Sequence, residues 1–468
     1  MNRKIIEKTA IECFEEWLDS YLNFERTPKK GIFWLDTIKF LCERFDNPQD
    51  SFNSVHIAGS KGKGSVSTML SSIIKEYKGA CGLYTSPHIL NLAERITNSH
   101  FFLDEKVYEE SLKELVYKTE SIIPENLPNE REFTWFELVT VFAFLCFRRA
   151  KMDWTVFETG LGGRLDSTNI LKPKLSVIMP IELEHTEFLG DTIEKIAFEK
   201  AGIIKSGVPV CISKQYDVAF EVIKKQAEKV GADIFCIEDY VSNLNYELPK
   251  INKKNNKKTM KVDISFNKFF KRPIHTELNL VGKVQAENAS IACLCAKLLF
   301  PEITEETIES GLQKAFLPGR FEIIENPLNP KTKVIFDGAH TVNSIKGTID
   351  SFKTIFEDTE KANLLFSAAA DKDISHIATD LINCNLFSEI YLTKPGSVKQ
   401  CDLSTIEKAF YGKSNYQIDE DFSKIINKAL SDSSKSQKNL LITGSFYLIA
   451  EAKKVVLAIS SKTDSEIL

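Results

Sequence analysis

What this chain lacks narrows its chemistry first. Its 10 cysteines include no CxxC pair, and Cys293 with Cys295 is the only close pair, so neither a disulfide framework nor a zinc site is indicated. The thiols read as small buried hydrophobes. The longest strongly apolar run, Val139 to Phe147, falls far short of the roughly 20 residues needed to span a bilayer. Met1 to Leu18 carries a charge every few residues and has no signal-peptide core. The 60 Lys and Arg against 65 Asp and Glu leave a net charge of -5 without a long basic block, which argues against nucleic acid and anionic membrane as partners. The expectation is a cytoplasmic protein.

Periodicity supplies the organisation. Ile5, Ile6, Thr9, Ala10, Cys13 and Trp17 fall at helical spacing, and Thr37 to Phe45 repeats the habit. From Val55 onward, short apolar runs ending in glycine or acidic residues alternate with helical stretches, as at Val55–Ala58, Trp154–Phe157 and Leu175–Ile178. That alternation predicts an α/β fold with a parallel sheet between helices. From Ile251 to Gly282 the rhythm breaks: Val262, Ile264 and Phe266 alternate with polar residues, which predicts a small antiparallel appendage at about 236–282. The lysine run from Lys253 to Lys258 reads as a solvated loop tip. After Leu317-Pro318-Gly319-Arg320 the strand rhythm restarts at Val334–Phe336 and ends at Leu440–Ile442. The expected domains are 1–317, including the appendage, and a smaller doubly wound domain at 318–468.

Gly59-Ser60-Lys61-Gly62-Lys63-Gly64-Ser65 sits between the apolar strand Val55–Ala58 and the helical run Val66 to Lys75. Glycines there let backbone N–H groups face an anion at a helix N-terminus, so the segment is a candidate phosphate cradle. Lys63 can reach outer phosphates as a point charge, and the Ser65 hydroxyl can meet a magnesium ion. The general pattern G-x-x-x-x-G-K-[ST] is not matched, because Gly64 intervenes before Ser65.

Two further strand ends carry titratable groups. Glu158 closes Trp154–Phe157 and leads into Thr159-Gly160-Leu161-Gly162-Gly163-Arg164-Leu165-Asp166. A carboxylate at the carboxyl end of a parallel strand is well placed for a metal. The strand expected at Leu175–Ile181 runs into Glu182, Glu184 and His185. Asp191 with Glu194 suggests a helix start, after which Ile193, Ile196, Ala197 and Lys200 share one face. Lys200 thus lies in line with a buried stripe. Either it snorkels its amine to water, or burial lowers its pKa and the neutral amine adds carbon dioxide, giving an anionic carbamate suited to magnesium.

These residues resemble the folylpolyglutamate synthase and dihydrofolate synthase family, a branch of the Mur ligases. The resemblance rests on His56 through Ser65, Thr85-Ser86-Pro87-His88, Glu94-Arg95-Ile96, Glu158 through Asn169 and Glu184 through Gly190. It continues in Glu199-Lys200-Ala201-Gly202-Ile203, Leu317 through Phe321, Asp337-Gly338-Ala339-His340 and Thr443-Gly444-Ser445. It implies a Mur-ligase-type ATPase domain followed by a Rossmann-like glutamate-ligase domain. It further implies that ATP phosphates are held by Gly59, Ser60, Lys61, Gly62, Lys63, Gly64 and Ser65, and one magnesium by Ser65, Ser86 and Glu158. A second magnesium would be held by His185 and carbamylated Lys200. Gln285, Asn288, Arg320 and Asp337 match the family's nucleotide contacts, His340 its glutamate side, and Asp166 the approach of the pterin-bearing substrate. Lys63, Glu158, His185 and Lys200 are the implied catalytic set. Family members are commonly monomeric.

This sequence departs from the family's usual pattern at Lys61, Glu184 and Thr341, where Asn, Asp and Asn are usual. The implied reaction is ATP-driven amide formation between L-glutamate and a folate or pteroate carboxylate. The rival readings are a peptidoglycan-precursor amino-acid ligase and a nucleotide-binding protein without turnover.

Overall fold

The computed structural model describes residues 8–23, 34–252, 256–357, 361–396, 401–412 and 415–466. Ile5, Ile6 and residues 253–255 of the lysine run lie outside these. The chain divides into two units. The first comprises Met1–Asn245, Val262–Thr276 and Ala286–Phe316, and the second Tyr246–Lys261, Glu277–Gln285 and Leu317–Leu468.

The first unit is built on an eight-stranded sheet. Its spatial order is Phe101–Phe102, Ile96–Asn98, Gly82–Tyr84, Trp154–Glu158, Asn53–Ala58, Leu175–Ile178, Val210–Ile212 and Ile234–Cys236. The last six strands run parallel and the first two pair antiparallel at one edge. The central strands are buried along nearly their whole length, as expected of a parallel sheet covered on both faces. One cover is the helix Trp135–Arg149, opened by a Thr134–Glu137 capping box and buried from Leu138 through Phe147. The apolar run Val139–Phe147 is therefore core. No described helix is long and apolar enough to cross a membrane.

The second unit contains a six-stranded sheet ordered Glu322–Asn326, Asn329–Asp337, Leu440–Thr443, Ala362–Phe366, Phe387–Leu392 and Tyr416–Ile418. Only the first pair is antiparallel. A separate three-stranded sheet joins Val241–Glu247, Met260–Phe266 and Ile274–Leu278, with Met260, Val262 and Ile264 buried in alternation.

Four local expectations change. Thr9 caps the first helix, Ala10–Leu18, in a box with Glu12 and does not belong to its apolar face. Thr192, not Asp191, caps the helix Ile193–Ala201; Asp191 pairs instead with Lys195 at 2.7 Å. The strand from Leu175 stops at Ile178 because Pro180 has no N–H to give the ladder. All ten cysteines are free, but Cys13 is exposed and Cys236, Cys384 and Cys401 are half-buried, so only six are buried as expected.

Candidate active site

Four neighbouring parallel strands deliver the candidate groups at their carboxyl ends, where open α/β sheets bind ligands. Register pairs Ile57 with Glu158, Ala58 with Ile178 and Tyr84 with Phe157, so the phosphate loop, Glu158, Ser86 and the segment to His185 all begin on one edge.

The phosphate loop is held from below. The N–H groups of Ser60 and Lys61 both donate to the Pro180 carbonyl, at 2.8 and 3.3 Å. The Ser60 hydroxyl exchanges bonds with Glu182, donating to its carbonyl at 3.1 Å and accepting from its N–H at 3.0 Å. Gly62 turns the chain into the helix Lys63–Lys78 with φ of 81°, and a Cβ there would stand 2.7 Å from Asn288 Oδ1. Only glycine fits both demands. The first helical bond runs from Val66 N–H to the Gly62 carbonyl, which leaves the N–H groups of Lys63, Gly64 and Ser65 aimed beyond the helix, an anion site in waiting.

Two lysines converge on one carbonyl. Lys63 Nζ and Lys200 Nζ each donate to the Gly59 oxygen at 2.8 Å. Lys200 is 1% exposed, so it does not snorkel, and it also donates to Glu184 Oε1 at 2.8 Å. Burial lowers the Lys200 amine to about 8, even though Glu184 opposes that shift. Burial acts against ionisation of Glu184 too, but Lys200 and Lys63, with His185, outweigh it and hold the carboxyl at about 2. His185 itself is exposed, in a left-handed backbone conformation with φ of 46° at the start of the short helix Thr186–Leu189.

Glu158 is buried and accepts the Ser86 N–H at 3.2 Å. The segment before Glu94 is ordered by that residue's carboxylate, which accepts the N–H groups of Ile89, Leu90 and Asn91 at 2.7 to 3.2 Å. Arg95 Nε donates to His88 Nδ1 at 2.9 Å. Ser65, Ser86 and Glu158 thus offer hard oxygen donors at the strand ends, which suit a magnesium ion that keeps water and phosphate ligands. Among the described residues, no three His, Cys, Asp or Glu side chains converge as a ready-made metal cage. Lys200 as a free amine is committed to Glu184 and is no ligand in that form.

Asp166 is buried and accepts from Gly160 N, Leu161 N, Thr168 N and Thr168 Oγ1 at 2.5 to 3.0 Å. Burial raises its pKa against these four donors. Its visible task is to shape the glycine-rich loop. Thr168 spends its only hydroxyl hydrogen on Asp166, so His56 Nε2, 2.7 Å from Thr168 Oγ1, must donate. The imidazole is neutral, pushed by burial to about 3.

Asn288 lies on the helix Lys283–Leu299, and Gln285 sits one turn earlier on the same face. In the second unit, Asp337 ends its strand beside Thr443, half-buried, bonded by Thr348 Oγ1 at 2.8 Å and Ala339 N at 3.2 Å. Burial raises its pKa while Arg320 works the other way. The Arg320 guanidinium lies 4.4 Å from the Phe446 ring centroid. His340 Nδ1 is 2.7 Å from the Gly338 carbonyl, and Thr341 caps the following helix Val342–Ile355.

Sequence reasoning missed the Gly59 carbonyl as a shared acceptor, Pro180 as the loop's anchor and the Arg164–Glu199 ion pair at 2.8 Å. The first two are backbone oxygens and leave no residue-type signal. Arg164 and Glu199 are signalled only by lying in two motifs that packing later joins.

A variant phosphate loop, a strand-end carboxylate and a buried lysine on one sheet edge, followed by a second parallel sheet, define a Mur-type ligase. Residues 57–296 match the Mur ligase middle domain, and residues 319–446 match the Mur ligase glutamate ligase domain. A dihydrofolate synthase/folylpolyglutamate synthase of Bacillus subtilis is 31% identical over 95% of this chain and 99% of its own. The crystal structure of a folylpolyglutamate synthase from Thermotoga maritima superposes with a TM-score of 0.76 at 26% identity, covering 95% of this chain and 97% of that one. A solved FPGS–AMPPCP complex gives 0.77 at 25% identity over 96% and 100%. The chain belongs to the folylpolyglutamate synthase and dihydrofolate synthase family of ATP-dependent ligases.

Proposed function

We propose that the protein joins L-glutamate to the carboxylate of a folate or dihydropteroate through an acyl phosphate. The observation that carries this reading is the convergence of Lys63 and Lys200 on the Gly59 carbonyl at the mouth of the phosphate loop. The acceptor carboxylate attacks the γ-phosphoryl group of ATP, releasing ADP. The glutamate amine then attacks the activated carbonyl, and phosphate leaves. Phosphoryl transfer of this kind is mostly positioning and charge neutralisation. Lys63 uses one of its three donors on Gly59 and has two left for phosphate oxygens, while the free helix N–H groups take the rest of the charge.

Magnesium, when bound, neutralises phosphate charge. Ser65, Ser86 and Glu158 are the residues we assign to one ion, His185 and Lys200 to a second. Lys200 becomes an anionic oxygen donor by adding carbon dioxide at Nζ with loss of a proton. A lysine at about 8 is roughly one-tenth neutral at pH 7, which supports that chemistry. Gln285, Asn288, Arg320 and Asp337 are assigned to the nucleotide, His340 to glutamate and Asp166 to the loop facing the pterin-bearing substrate. We place the enzyme in the cytoplasm as a monomer, a reading supported by its unpaired cysteines only as regards compartment.

The test is ADP release with glutamate and three acceptors in turn: dihydropteroate, tetrahydrofolate and a UDP-linked muramyl peptide. Release with either of the first two and not the third is expected. Release only with the third overturns the reading in favour of a cell-wall ligase, and nucleotide binding without release overturns it in favour of a switch.

A further inference from the structure

The helix Ile193–Ala201 that carries Lys200 is nine residues long. An open groove of about 430 Å³ runs along it, lined by Phe188, Leu189, Lys195 and Phe198. Ile196, Ala197 and Ala201 pack the helix's inner face into the core, so it is the outer face, with Phe198 and Glu199, that packing leaves open. On that open side Glu199, which also lines the groove, is stitched to the glycine-rich loop after Glu158, and the Arg164 guanidinium lies 5.5 Å from the Phe198 ring centroid. Arg164 Nη2 stands 2.8 Å from Glu199 Oε1, and Arg164 Nε lies 3.2 Å from both carboxylate oxygens. The Arg164 N–H donates to the Glu199 carbonyl at 2.7 Å, satisfying one of the acceptors that a helix end leaves without an internal partner.

The stitch continues on either side. Asn169 Nδ2 bridges the carbonyls of Arg164 and Gly202 at 2.9 and 3.1 Å, and Lys205 Nζ holds Asn169 Oδ1 at 2.7 Å. A Cβ at Gly163 would stand 2.9 Å from the carbonyl oxygens of both Glu199 and Lys200. Loop and helix end are thus in backbone contact on either side of the lysine.

We propose that Arg164 is a positioning residue. By clamping Glu199 it sets the orientation of the helix's last turn, so that the neighbouring Lys200 reaches Gly59 and Glu184. Without the clamp the turn keeps only its backbone bond to Arg164 and the Asn169 bridge to the loop, and the amine loses part of its register with the phosphate loop. An ion pair this exposed, at 42% for Arg164, adds little to overall stability, so its effect is expected on geometry. The consequence for turnover rests on the role of Lys200 given under the proposed function; the positional claim does not.

The experiment uses full-length protein with Arg164→Met, which keeps the stem and removes the fork, and the charge swap Arg164→Glu with Glu199→Arg. Lysines are reductively methylated with formaldehyde and a borohydride under native conditions and quantified individually by mass spectrometry, without metal or nucleotide. In Arg164→Met, Lys200 is expected to label about tenfold faster or more, while Lys297, a second buried lysine on the helix Lys283–Leu299, keeps its rate. In the same variant kcat is expected to fall about tenfold or more with the ADP dissociation constant unchanged. The swap is expected to recover both. Unchanged Lys200 labelling, or an equal rise at Lys297, overturns the proposal. Faster Lys200 labelling with wild-type kcat upholds the positional claim and removes Lys200 from the catalytic set.

Discussion

Lys200 and Gly59, 141 positions apart in the chain, are joined by a 2.8 Å hydrogen bond from the lysine Nζ to the glycine carbonyl oxygen. The bond ties the end of one helix to the first residue of the phosphate loop. Lys63 shares the same acceptor, so the charge of two lysines is focused where a nucleotide's phosphates are expected. Glu184 is the carboxylate that makes the buried amine tolerable.

Lys200→Ala is expected to fold and to bind nucleotide, since Glu184 retains Lys63 nearby, but to lose turnover by about a hundredfold or more. Added short carboxylates such as acetate are expected to restore part of it by standing in for the carbamate. Steady-state ADP release measures both, and a fully active variant removes the lysine from the reaction.

Glu158→Ala is expected to leave ADP binding measurable by calorimetry while abolishing magnesium-dependent turnover. Wild-type kinetics across a magnesium titration would show that another residue holds the ion.

Glu184→Gln removes the partner of a buried ammonium and is expected to cost about 3 kcal/mol in urea unfolding at pH 7. The Glu184 carboxyl is held at about 2 against its ordinary 4.5, so its contribution is present above pH 4.5 and is lost as the pH falls toward 2. The gap between wild type and variant should therefore close over that interval. A gap independent of pH would mean that charge is not its source.

His56 behaves with the same sign for a different reason. Its neutral imidazole is held by burial at about 3, whereas the unfolded chain takes up a proton below the ordinary 6.5. Stability is then lost as the pH drops from 6.5 toward 3, with a slope of up to about 1.4 kcal/mol per pH unit. His56→Leu should flatten that slope by about one proton; an unaltered slope would assign it to other groups.

Gly62→Ala places a methyl group 2.7 Å from Asn288 Oδ1 on a backbone with φ of 81°. The conformation alone costs about 1–2 kcal/mol. A lower melting temperature is expected, together with a loss of ADP affinity of about tenfold, read by calorimetry.

The fold class was legible because a parallel sheet writes itself as short apolar runs separated by helical ones, and Val55–Ala58, Trp154–Phe157 and Leu175–Ile178 are indeed adjacent strands. Glycine and lysine at Gly59–Ser65 were legible for a related reason: few other sequences let a strand turn into a helix while exposing N–H groups to an anion. Caps were read less well. Thr9 and Thr192 both looked like face residues or neighbours of the cap, because a β-branched hydroxyl residue fits either place until the chain direction is known.

Sequence by itself determined the alternation of elements, the strand ends that carry chemistry and the family. Tertiary structure alone decided that Lys200 points inward to Glu184 and Gly59, that Asp166 spends its carboxylate on its own loop, and that Arg164 grips Glu199. Periodicity fixes which face of a helix is buried, but the partner of a buried charge is set by contacts between distant segments. Much of that contact runs through backbone carbonyls, which every residue carries and no sequence distinguishes.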